Sequence, residues 1–154
     1  VLYGTLARAL RTPDYPCGYP PERYDAQVEA LINDWGGPAC IESFAPGWAL
    51  DVERRAWWAR ALRLAASPRT VKQVFEALKS IDVRPLLARI DCPTLILHRH
   101  GDKAVPVEHG RFLARQMPHA QWVELPGEDH WWWVGDARDI LRHLDEFLAS
   151  LRHS

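Results

Sequence analysis

No stretch of the chain approaches the run of about 18 apolar residues that a membrane-crossing helix needs. Residues 1–10 lack the basic start and long apolar core of a secretory signal. An excess of charge is missing too: 19 Lys and Arg stand against 20 Asp and Glu, for a net charge of −1. That balance gives no electrostatic footing to nucleic acid or an anionic membrane, so neither is expected as a partner. Cysteine is scarce. Cys17, Cys40 and Cys92 are odd in number and contain no C-x-x-C, which predicts reduced thiols and a cytoplasmic protein. Also absent are an H-E-x-x-H metal motif, an internal repeat and any low-complexity tract.

What is present suits one globular unit. The chain has 154 residues, 47% of them apolar and 25% charged, with eight tryptophans. "VLYG" at 1–4 reads as the end of a short buried strand. Residues 5–20 are rich in turn formers. "PPERYDAQVEALINDW" places Tyr24, Val28, Leu31, Ile32 and Trp35 on one helical face and stops at Gly36-Gly37-Pro38. Asp51 is a good N-cap for the helix "DVERRAWWARALRLAA". Ser67-Pro68 opens another helix, with Val71, Val74, Phe75 and Leu78 in register.

The pattern changes at residue 93. "PTLIL" has the continuous apolar character of a strand buried on both faces. A helix is expected from near Pro106, a strand over 120–125, and a closing helix marked by Ile140, Leu141, Leu144, Phe147, Leu148 and Leu151. Strand–helix–strand–helix implies a parallel sheet of the α/β class. Three strands make a thin sheet, and a strand at Val1–Tyr3 would leave a bare edge. Both facts, with a first residue that is not Met, predict more sheet before Val1 and an aggregation-prone chain without it.

Ligands of open parallel sheets gather at the carboxyl ends of the strands. "HRHGD" follows the strand at 94–97 and "GEDH" follows the strand at 120–125. Asp102 and His130 therefore fall on neighbouring strand ends, where a carboxylate can orient an imidazole as general base. Two other readings stay open on spacing alone. Asp102 can be a turn residue and His130 a surface histidine. Alternatively His98, His100 and Asp102 can converge on a metal, although nothing else in the chain completes such a site.

The stretch "PTLILHRHGDKAVPVEHGRFLARQMPHAQWVELPGEDHWWWVGD", with "VLYGTLARALRTPDYPCGYP" and "WWARALRLAASP" upstream, resembles the C-terminal part of the α/β-hydrolase superfamily. Within it the chain is similar to hydrolases found beside bacterial nucleotide cyclase domains. The resemblance implies Asp102 as triad acid and His130 as triad base. It implies a core strand at 1–4, a helical cap inserted into a partial parallel sheet at 5–92, and a C-terminal core at 93–154. It places Trp57, Trp58, Trp131, Trp132 and Trp133 at the pocket mouth. No cofactor or metal is implied. The expected ligand is a small apolar or ester-like molecule.

The family's G-x-S-x-G nucleophile elbow is missing. The serines are Ser43, Ser67, Ser80, Ser150 and Ser154, and none falls on a strand-to-helix elbow. The expectation is a nucleophile upstream of Val1 and a chain inactive alone. The alternative is a non-catalytic module that senses a small ligand for a linked signalling cyclase.

Overall fold

The apolar run after Pro93 becomes the central strand of a small sheet in the computed structural model, which describes residues 1–152. Strand β2 (Thr94–Arg99) is buried at all six positions. It lies between β1 (Leu2–Tyr3) and β3 (Ala120–Leu125), parallel to both. Leu2 pairs with Ile96, and Thr94 through Arg99 pair with Ala120 through Leu125. The strand is two residues longer than the sequence reading of 94–97, because His98 and Arg99 are carried into the sheet, with His98 Nε2 meeting Val105 O and the Arg99 guanidinium meeting main-chain carbonyls.

Around the sheet run seven α-helices and one 3-10 helix among the described residues. Between β1 and β2 come α1 (Pro21–Asn33), α2 (Ile41–Phe44), the 3-10 turn Pro46–Trp48, α3 (Val52–Ala65), α4 (Pro68–Ser80) and α5 (Arg84–Leu87). Helix α6 (Val107–Gln116) links β2 to β3, and α7 (Arg138–Leu151) follows. The local signals act as read. Asp51 accepts from the amides of Glu53 and Arg54, and Ser67 Oγ accepts from Thr70 N at 3.1 Å. Helices α1 and α4 share a cluster of Tyr24, Val28 and Phe75, with the Tyr24 hydroxyl donating to Phe75 O at 2.9 Å.

Alternation along β2 sorts its side chains onto two covered faces. Ile96 packs with Leu113 and Met117, and Leu95 and Leu97 pack with Leu125, Ile140 and Phe147. Helix α6 comes very close to β2. A Cβ on Gly110 would lie 2.5 Å from His98 Nδ1 and 2.7 Å from the Trp122 ring, so glycine alone permits that approach. No described helix is long and apolar enough to cross a membrane.

Candidate active site

The two polar clusters meet where β2 and β3 end. The ladder continues past the strands: His100 N donates to Leu125 O at 2.8 Å and Gly101 N to Gly127 O at 2.9 Å. These bonds bring the turn after β2 against the loop after β3. Asp102 is 5% exposed. Its Oδ1 accepts from the amides of Ala104 and Val105, each at 2.9 Å. Its Oδ2 faces His130 Nδ1 at 2.8 Å. An ionised carboxylate can only accept, so Nδ1 carries the proton and Nε2 keeps its lone pair.

Gly4 makes room for this pair. It sits at φ +53° just past β1, and its amide donates to Leu97 O at 3.0 Å. A Cβ there would lie 3.2 Å from His130 Cε1 and 3.5 Å from Asp102 Oδ2. Both the backbone angle and the contact favour glycine.

Of the three members of the metal reading, His98 and Asp102 stay close and His100 turns away. His98 is fully buried, and its Nε2 faces Val105 O at 2.7 Å and Asp102 Oδ2 at 3.6 Å. His100 falls beyond the strand end, is largely exposed, and pairs through Nδ1 with Glu124 at 2.6 Å. His100 lies past the end of β2 at Arg99 and so does not share a strand face with His98. Among the described residues no group of three His, Cys, Asp or Glu side chains could hold a metal ion.

Beneath the acid turn lies a second buried imidazole. His109 on α6 is wholly covered, and its Nδ1 meets the Tyr15 hydroxyl at 2.7 Å. Burial pushes its pKa down to about 4 and lowers that of His98 as well. An unfolded chain releases these protons near pH 6.5, so between about 4 and 6.5 it binds more protons than the folded one. Stability therefore falls as pH drops through that window, by on the order of 3 kcal/mol from His109 alone. Urea titrations at a series of pH values are expected to show this loss, and His109→Asn is expected to flatten it. An unchanged slope in that variant would remove His109 as the cause.

Behind Gly4, Phe44, Ala104 and Val105, which touch the pair, opens a cavity of about 430 Å³ between the sheet and the inserted helices; neither Asp102 nor His130 is itself in its wall. Its wall includes Gly4 and Thr5 at the tip of β1, Tyr24, Leu31 and Phe44, and reaches Phe75 and Leu78 on α4. No wall residue carries a charge at neutral pH. None of Trp57, Trp58, Trp131, Trp132 and Trp133 is in this wall, and Trp57 and Trp133 line a second pocket with Trp48, Glu53 and Arg54. Trp58 is buried with Ile41 and Val134, and its indole N–H goes to Ala39 O at 3.0 Å. Trp57 is half exposed and packs edge-on against Trp48. Trp131 stacks on Phe44 and Trp133 and lies 5.3 Å from the His130 ring, whereas Trp132 faces outward.

Of the described serines, Ser43 stands in the cavity wall. Ser67 and Ser80 bond within or at the start of their own helix α4. Ser150 donates to Phe147 O on α7, and Ser154 lies outside the described residues.

Two residues beside the pair escaped the sequence reading. Arg99 is 2% exposed, and its guanidinium donates to five main-chain carbonyls of one loop. They are Asp129 at 3.0 Å, Trp131 at 3.4 Å, Trp132 at 3.4 Å, Val134 at 2.7 Å and Asp136 at 3.2 Å. Asp129, just before His130, accepts from Gly47 N at 2.8 Å. The only signal in the sequence is a charged residue at the end of an apolar strand.

No protein-family model matches the chain. Among curated proteins it is 36% identical over 158 positions to the putative carbamate hydrolase RutD of Pseudomonas savastanoi pv. phaseolicola, covering 84% of this chain and 60% of that one. It is 27% identical over 154 positions to the AB hydrolase superfamily protein YisY of Bacillus subtilis, covering 97% and 56%. The chain thus spans little more than half the length of these relatives. A bromoperoxidase from Bacillus anthracis superposes with a TM-score of 0.76 at 23% identity, over 96% of this chain and 56% of that one. An esterase from Exiguobacterium antarcticum superposes with a TM-score of 0.71 at 23% identity, over 96% and 54%.

Proposed function

We propose that the chain is part of an α/β-hydrolase, the superfamily of its curated relatives, and that it carries the acid, the base and the pocket roof of a serine hydrolase acting on small, uncharged, apolar esters. The observation that carries this reading is the 2.8 Å contact of His130 Nδ1 with a buried Asp102, beside an uncharged cavity. In this reading residues 5–92 are the cap and the cavity beneath them takes the acyl group.

The chemistry follows from the proton positions. A serine hydroxyl from outside this chain gives its proton to His130 Nε2 as its oxygen attacks the ester carbonyl carbon. Asp102 stabilises the imidazolium and stays ionised. The tetrahedral adduct collapses, breaking the C–O bond to the alcohol, and His130 returns the proton to the departing alkoxide. Water then repeats the sequence on the acyl-serine and releases the carboxylic acid. The apolar wall favours an uncharged acyl chain, because a buried charge without a partner is costly.

Ligand binding without turnover is the second reading. It is favoured by the lack, among the described residues, of a serine on a strand-to-helix elbow. A fluorophosphonate probe separates the two. The 154-residue chain alone is expected to remain unlabelled. A longer protein that supplies a serine elbow is expected to label, and to lose labelling on His130→Ala. Labelling of the 154-residue chain that disappears on Ser43→Ala would overturn the external serine. A labelled elbow indifferent to His130→Ala would overturn the role of the base.

A further inference from the structure

The loop that carries His130 is held on two sides, and one residue joins them. From the sheet side Arg99 collects the carbonyls of residues 129, 131, 132, 134 and 136. From the cap side Phe44 O accepts from the amides of His130 at 2.9 Å and Trp131 at 3.2 Å. The Phe44 ring also meets the His130 ring edge-on, 5.4 Å between centroids. Asp129 lies between the two holds. Its carboxylate accepts from Gly47 N at 2.8 Å and stands 3.7 Å from the Arg99 guanidinium. Two glycines enclose it: a Cβ on Gly47 would come within 3.1 Å of both oxygens, and one on Gly135 within 2.8 Å of Oδ2. A carboxylate at 8% exposure with a main-chain donor and a cation is a made-to-fit contact rather than a surface charge.

We infer that Asp129 and Arg99 are positioning residues that couple the docking of cap segment 44–48 to the alignment of His130. The inference rests on the reading of Asp102 and His130 as the catalytic pair. The coupling acts through the backbone. Asp129 precedes the base by one residue, so a cap segment that lifts away with Phe44 O and Gly47 N takes the bonds at 129, 130 and 131 together. Arg99 holds the other end of the same loop, so the freed segment pivots there instead of unravelling. A seated cap therefore keeps the His130 ring aligned on Asp102, and an unseated one does not.

Native-state amide exchange on the 154-residue chain tests this without any turnover, so failure of the hydrolase reading leaves a separate signature. In the wild-type chain at low denaturant, Gly47, His130 and Trp131 amides are expected to open together as one unit, before Leu95–Leu97. His130 and Trp131 staying protected after Gly47 has opened would overturn the coupling. Asp129→Ala is expected to raise exchange at all three amides about tenfold or more. It is also expected to erase the low-field imidazole N–H resonance of His130 bonded to Asp102. Asp129→Asn keeps an acceptor for Gly47 N–H and is expected to restore most of both. If Asp129→Ala frees Gly47 alone and leaves the His130 resonance in place, Asp129 fastens the cap segment and positions nothing.

Discussion

His130→Ala, in a protein that supplies the serine, is expected to lower kcat about 10⁶-fold, since a base and its nucleophile act as a unit. Asp102→Asn is expected to cost about 10⁴-fold. The structure gives a specific reason for the second loss. Asp102 Oδ1 is held by two backbone donors, Ala104 N and Val105 N. An asparagine must keep its oxygen there, because the amide nitrogen cannot accept from them. Its NH₂ group then faces His130 Nδ1, 2.8 Å from where Oδ2 stood. Nδ1 becomes the acceptor, Nε2 takes the proton, and the imidazole can no longer receive one from serine. Steady-state rates with short apolar nitrophenyl esters measure the loss, and nitrogen shifts of the His130 ring report the tautomer. Normal turnover in Asp102→Asn would end the assignment of Asp102 as the acid.

How much of this was legible depended on where each residue finds its partner. Helix α4 could be read because Ser67 and Pro68 act on amides three residues away or fewer. β2 could be read because burial on both faces demands an unbroken apolar run. Asp102 and His130 could be paired because strand order alone fixes where β2 and β3 end. Arg99 could not. It is a charge inside a buried strand, and its acceptors are carbonyls 30 to 37 residues on, which have no side-chain signature. Asp129 was hidden for the same reason, its donor being the amide of Gly47, 82 residues back. The tryptophans' neighbours could not be read either, because ring size signals burial but not against what. Trp58 fills a cluster with Ile41 and Val134, away from the cavity wall. Residues 38–50 carry no period, and their short α2 and 3-10 turn are fixed by contact with the His130 loop.

Arg99→Met is expected to destabilise the chain by about 3–5 kcal/mol in urea denaturation. The opposite outcome has a physical basis, since replacing buried charges with apolar side chains of similar volume is often neutral or stabilising. That gain requires both partners to go. Here the partners are mostly main-chain carbonyls, and no substitution at 99 removes them. Each one left dry costs about 1–3 kcal/mol; Val134 O, at 2.7 Å, contributes most to the expected loss, while Asp129 O, at 3.0 Å, keeps only the long contact of the Tyr3 hydroxyl at 3.5 Å. The Asp129 carboxylate also loses its neighbouring cation at 3.7 Å. Arg99→Lys keeps the charge but has three donors on one nitrogen where the guanidinium spreads five. It is expected to fall between wild type and Met. A methionine variant as stable as wild type would mean that water satisfies those carbonyls. The loop behind His130 would then be wet, and the alignment of the base could not depend on Arg99.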